Sequence, residues 1–174
     1  MKHIEIYTDG SCRGNPGPGG WAAIFLEKKS HSSMQTPFKI LKGHDPDTTN
    51  NRMEMTAVIE ALRYIDDEKL QSAEITLYSD SNLVIQTLLQ GWKRKANLDL
   101  WEELDELGEE LDVNYVWIKG HAKNHWNNEC DKVAQKESLH AQKKGHPRSG
   151  MAPRPGSGPT PPGRRTSKIQ QELF

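Results

Sequence analysis

Residues 1–29 read MKHIEIYTDGSCRGNPGPGGWAAIFLEKK, and the fold turns on their pattern. Ile4 and Ile6 alternate with polar neighbours and lead into Asp9, the period of a strand with one buried face. SCRGNPGPGG has the glycine and proline density of a turn. GWAAIFLEKK then reads as a second strand, and a third, weaker one is expected near MQTPFKILKG. Short connections between successive strands predict an antiparallel meander.

The period then changes. After the cap-like TTNN, Val58, Ala61, Leu62 and Ile65 recur at helical spacing. AEITLYS reads as a strand, and SNLVIQTLLQ as a helix burying a stripe at Leu83, Ile85 and Leu88. LDLWEELDEL is a further helix, VNYVWIKG a strand, and residues 126–142 a closing helix. Three strands followed by helix, strand, two helices, strand and helix predict an α/β fold: a mixed sheet with helices packed on it.

Composition narrows the class. The 174 residues suit one domain plus an appendage. No apolar run approaches the roughly 18 residues of a membrane span, and the start lacks a secretory h-region. Two cysteines, Cys12 and Cys130, are too few for a disulfide framework and lack zinc spacing. A cytoplasmic setting and a monomer are expected. The net charge of -1 conceals an asymmetry: residues 142–174 carry seven Lys and Arg against one Glu, a net +6, which leaves -7 on residues 1–141. An acidic body has to bind phosphate through a local basic patch or through the tail.

Four acids stand out at element boundaries: Asp9 in TDGS, Glu54 in NNRMEM, Asp80 in SDSN and Asp131 in NNECD. Each has a bland explanation. Asp9 suits a turn, Asp80 a helix cap, and Glu54 a capping box begun by Asn51. However, Glu54 lies along the apolar stripe of its helix, and Asp131 borders a buried face. A charge there is costly without a partner. Ligands of open α/β sheets bind at the carboxyl ends of the strands. Carboxylates gathered there raise one another's pKa unless divalent cations neutralise them. Such clusters hold the paired metals of phosphodiester hydrolysis, so a nuclease is expected.

The longer strings YTDGSCRGNPGPGGWA, TTNNRMEMTAVIEAL, LYSDSNLVI and WIKGHAKNHWNNECDKVA together closely resemble type 1 ribonuclease H, over about residues 1–141. The resemblance implies a five-stranded mixed sheet, three strands antiparallel and then parallel, with helices on both faces. It also implies cleavage of the RNA strand of RNA/DNA hybrids, leaving 3′-hydroxyl and 5′-phosphate ends. Asp9, Glu54, Asp80 and Asp131 would hold two Mg²⁺ or Mn²⁺ ions, and His121 in KGHA matches a mobile histidine that moves protons or aids product release. His125 fits the motif less well and reads as a surface residue.

Gly10, Cys12, Asn15, Asn50, Asn51 and Asn82 match positions that contact nucleic acid in that family, although bacterial relatives often carry glutamine at the last. Thr49 matches part of a DNA-phosphate pocket. Turn chemistry competes with each assignment, since Gly and Asn are usual turn formers. One departure is marked. Many relatives have a long basic protrusion between two helices, whereas here only GWKRKANLDLW makes the connection. Trp92 and Lys93, with Arg94 and Lys95, could still stack on a base and neutralise phosphate. Otherwise Trp92 packs under the connection.

Residues 142–168 have no periodicity and are expected to be a disordered basic linker. Within residues 169–174, QQELF resembles the peptide by which bacterial replication and repair proteins dock on the sliding clamp. Leu173 and Phe174 would enter an apolar groove while Gln170 hydrogen-bonds beside it. Two other functions compete: a catalytically silent hybrid-binding module, and a DNA nuclease or transposase sharing the fold. A binder gains nothing from clustered negative charge near phosphates, and the dense match around TDGS, NNRME and GHA disfavours the latter.

Overall fold

A computed structural model describes residues 1–31 and 35–145. Five strands run β1 (His3–Cys12), β2 (Gly17–Glu27), β3 (Pro37–Thr48), β4 (Glu74–Ser79) and β5 (Val113–Trp117). Four helices complete the domain: α1 (Asn50–Asp67), α2 (Asn82–Gln90), α3 (Leu98–Glu110) and α4 (His125–Gly145). The sheet order is β3-β2-β1-β4-β5. The first three strands are antiparallel, and β4 and β5 extend the sheet in parallel. This is the mixed sheet that the sequence led us to expect.

Strand alternation builds two cores. Ile4, Ile6, Ala23 and Phe25 face α1, α2 and α3 in the larger one, with Met55, Leu62, Ile85 and Leu104. Tyr7, Ala22, Ile24 and Leu26 face the other way and pack under Cys130 and Ala134 of α4. Helices therefore cover both faces, and the active edge has to be built where strand ends meet helix starts. Among the described residues no helix is long and apolar enough to cross a membrane.

Local boundaries depart from the sequence reading in instructive ways. β3 runs on to Thr48, through Pro46. An edge strand tolerates proline because the missing N–H faces no ladder partner. In α2 the buried positions are Val84, Ile85 and Thr87, while Leu83 and Leu88 are half-buried. The Ser81 hydroxyl caps α2 by accepting from Val84 N at 3.3 Å. That start turns Val84 rather than Leu83 toward the sheet. α1 is capped by Thr49, whose Oγ1 accepts from Arg52 N at 3.3 Å, so Glu54 is not the glutamate of a capping box begun by Asn51. α4 carries through Gly145, into the first residues read as linker.

Candidate metal and nucleic-acid site

Parallel pairing of β1 with β4 ends at Thr8 and Ser79. Asp9 and Asp80 follow immediately on adjacent strands, and the first turns of α1 bring Glu54 over the same edge. One oxygen from each of Asp9, Glu54 and Asp80 lies within 4.8 Å of the others. Asp9 is 4% exposed, and its Oδ1 accepts from Gly10 N at 2.8 Å. Asn50 Nδ2 donates to Glu54 Oε1 at 3.1 Å. No Lys or Arg among the described residues pairs with any of the three.

The electrostatic consequence is direct. Burial, then the charges of Asp80, Glu54 and Asp131, push Asp9 up to about 9. Burial is also the main reason that Glu54 rises to about 7; Asp80 adds to it, while the bonds from Ser81 and Asn50 oppose it. Asp80 is raised by burial and by Asp131, against the bond from Asn127 and the charge of His121. A site that protonates its own carboxylates at neutral pH is short of positive charge. Three convergent hard oxygen donors are what Mg²⁺ or Mn²⁺ takes, so these residues fit a divalent cation.

Asp131 stands at the flank rather than in the triad. It is half-buried on α4, its Oδ2 accepts from Gln135 Nε2 at 2.9 Å, and its charge reaches Asp9 and Asp80. His121 is exposed, with φ of 54°, in the loop between β5 and α4. His125 is likewise exposed, edge-on to the Trp126 ring.

The remaining sequence candidates divide. Asn15 Oδ1 accepts from Asn50 N at 3.3 Å, and Cys12 Sγ donates to Gly17 O and Thr48 O at 3.4 Å. These contacts tie the β1–β2 turn to the start of α1. Asn51 is 2% exposed, and its Oδ1 has no hydrogen-bond partner among the described residues. Asn82 is exposed at the start of α2. Trp92 is 42% exposed, and its Nε1 donates to Gln90 Oε1 at 3.3 Å, so it does not pack under the connection. Lys93 and Lys95 are exposed. Arg94 is engaged elsewhere: it pairs with Asp105 and lies 4.6 Å over the Trp101 ring. Gln170, Leu173 and Phe174 lie outside the described residues.

Two contributors escaped the sequence reading. Ser81 caps α2 and favours the ionised form of Glu54, and Asn127 favours the ionised form of Asp80. A hydroxyl or amide has no motif of its own. The only available signal was proximity, Ser81 beside Asp80 in SDSN and Asn127 four residues before Asp131.

A model of the RNase H family matches residues 1–139. Ribonuclease H of Thermoanaerobacter sp. (strain X514) is 42% identical over 148 residues, covering 77% of this chain and 88% of that protein. Ribonuclease H of Campylobacter jejuni (strain RM1221) is 41% identical over 147 residues, covering 80% and 93%. Among solved structures, the N-terminal RNase H domain of a Mycobacterium tuberculosis protein superposes with TM-score 0.70 at 28% identity, covering 84% of this chain and all of that one. LC11-RNase H1, solved in complex with an RNA/DNA hybrid, superposes with TM-score 0.67 at 24% identity, covering 79% and 98%. The chain therefore belongs to the RNase H family and is a type 1 ribonuclease H.

Proposed function

We propose that this enzyme cleaves the RNA strand of RNA/DNA hybrids in a reaction that depends on two divalent cations, Mg²⁺ or Mn²⁺, and leaves 3′-hydroxyl and 5′-phosphate ends. The observation that carries the reading is the triad of Asp9, Glu54 and Asp80, three mutually repelling carboxylates that no Lys or Arg among the described residues pairs with. The bound cations would supply Lewis-acid activation of the attacking water and stabilise the departing 3′-oxygen. Asp131 completes the negative edge from α4. His121, carried on an exposed loop, is suited to moving a proton or easing product departure.

Substrate contacts are assigned from side-chain chemistry and from the positions matched in the sequence. Asn51 offers a spare buried acceptor, suited to the 2′-hydroxyl by which RNA is told from DNA. Thr49, Asn50, Asn15, Cys12, Gly10 and Asn82 are the further residues assigned to nucleic-acid contact. Trp92 supplies a stacking face, and Lys93 supplies charge for phosphate. Residues 1–141 form the catalytic unit in this reading, residues 142–168 a basic linker, and QQELF a peptide for the bacterial sliding clamp. Tethering there would raise the local concentration of enzyme at replicating DNA. A cytoplasmic monomer suits these roles.

The deciding assay uses a hybrid with separately labelled strands, Mg²⁺, and the wild type beside Asp80→Asn. RNA-strand cleavage lost in the variant is expected; cleavage of the DNA strand, or none by the wild type, would overturn the assignment. Clamp docking is tested by binding of a purified bacterial clamp to the full chain and to Leu173→Ala/Phe174→Ala. Equal binding by both removes that partner.

A further inference from the structure

The loop from Ile118 to Asn124, between β5 and α4, carries His121 past the acidic edge. Its first half is held against Asp80. Ile118 N donates to Ser79 O at 3.0 Å, and Trp117 Nε1 donates to the Asp80 carbonyl at 3.2 Å. A Cβ on Gly120 would lie 2.9 Å from Asp80 Oδ2, so the chain passes directly over the carboxylate. His121 comes next.

The backbone at His121 lies in the left-handed region, with φ of 54°. A residue other than glycine keeps such a conformation only where its surroundings over-determine it. The imidazole is exposed, so packing of the side chain does not supply that restraint. It has to come from the chain on either side, from Gly120 against Asp80 and from Ala122.

Ala122 is tied to α4 by a side chain: Asn128 Nδ2 donates to Ala122 O at 3.0 Å. The start of the helix is satisfied without that amide. Asn128 N donates to Asn124 O at 3.1 Å, and Asn127 N donates to Asn124 Oδ1 at 2.9 Å. Asparagine is also a poorer helix former than alanine. Its side chain therefore serves the loop rather than the helix that carries it.

We propose that Asn128 is a positioning residue for His121: by donating to the Ala122 carbonyl, it fixes the loop so that the imidazole stands at the acidic edge. This assignment rests on the role of His121 proposed above. The experiment compares hybrid cleavage at saturating Mg²⁺ by the full chain, Asn128→Ala, His121→Ala and the double variant. Asn128→Ala should lower kcat about tenfold, short of the roughly hundredfold that a misplacement of about 1 Å can cost. KM for the hybrid should change little. In the His121→Ala background the same substitution should alter kcat by less than about twofold, because no imidazole remains to be positioned. An equal loss in both backgrounds would reduce Asn128 to a structural part of α4 and overturn the proposal. So would a wild-type kcat in Asn128→Ala where His121→Ala is impaired. A His121→Ala enzyme as active as the wild type sinks the histidine role itself and the tether's purpose with it, a result distinct from the other two.

Limited trypsin digestion reads the loop without reference to catalysis. Lys119 and Lys123 are exposed within it, and cutting after them follows local opening. Asn128→Ala should speed cutting at these two sites relative to the rest of the domain. Unchanged cutting there would also overturn the assignment. Asn128→Leu, of similar size but without a donor, gives the same readouts should the alanine variant fail to fold.

Discussion

Gly10 and Glu54 meet backbone to backbone. A Cβ built on Gly10 would overlap the Glu54 amide nitrogen and lie 2.6 Å from the Met53 carbonyl carbon. This close approach lets the end of β1 sit under the first turns of α1, and so sets Asp9 beside Glu54. The residue read as a nucleic-acid contact is therefore first a spacer between two of the triad's elements.

Gly10→Ala should consequently cost stability as well as activity. The added methyl meets backbone, which cannot rotate away, and overpacking of this kind costs about 1–3 kcal/mol. Denaturant unfolding and Mg²⁺ titration of the same variant test it. A stable variant with wild-type Mg²⁺ affinity would show that the spacing is not required.

Asp9→Asn should abolish cleavage yet stabilise the metal-free fold. The Asp9 pKa is raised to about 9, so the folded state holds its proton more tightly than the unfolded state. Its stability contribution is full below the ordinary carboxylate value and is lost as pH rises through the folded value. The asparagine variant should thus gain on the wild type as pH rises, by about 1–3 kcal/mol near pH 8. The gap should close toward pH 4, at roughly the unfolded aspartate pKa. Saturating Mg²⁺ should narrow it as well. Melting curves at several pH values with EDTA decide the matter, and a gap that does not change with pH refutes it.

Mg²⁺ binding should release protons. Glu54 is raised to about 7 and Asp9 to about 9, and both have to ionise to act as ligands. Affinity is expected to climb between about pH 6 and pH 9. Calorimetry in buffers of different ionisation enthalpy measures the released protons, and identical heats across buffers would contradict the shifts.

Trp92 and Lys93 should separate from Arg94. Trp92→Ala should weaken hybrid binding by about 1–3 kcal/mol, the value of a stacked base. Lys93→Ala should lower the slope of log affinity against log salt by about 1. Both should leave Tm nearly unchanged. Arg94 pairs with Asp105 and covers Trp101, so Arg94→Ala should act chiefly on Tm. Reversal of this split, read by salt titration and melting, would mean that Arg94 is the substrate residue.

Much of this could be read from local pattern. Alternation at Ile4 and Ile6, the glycine-rich turn and the helical spacing of Val58, Ala61 and Ile65 depend on neighbours a few residues away. Patterns of this kind along the chain predicted the order of the nine elements among the described residues. Glu54 and Asp131 were legible because an ionisable group beside a buried face is conspicuous in one dimension, and Asp9 and Asp80 because they stand at element boundaries. Less legible were the facing of α2, where the Ser81 cap turns Val84 inward in place of Leu83, and the length of β3, where an edge position accommodates Pro46.

What the chain alone determined is which residues are charged, apolar or turn-forming, and hence the elements and the candidate acids. Tertiary structure decided which of those acids share one site. Asp9, Glu54 and Asp80 converge because β1 and β4 run parallel and Gly10 admits α1, while Asp131 remains at the flank on α4. It also brought Ser81 and Asn127 to favour the ionised forms of Glu54 and Asp80. Hydrogen bonds and Coulomb forces act across a few ångströms of space, and sequence separation carries no record of that distance.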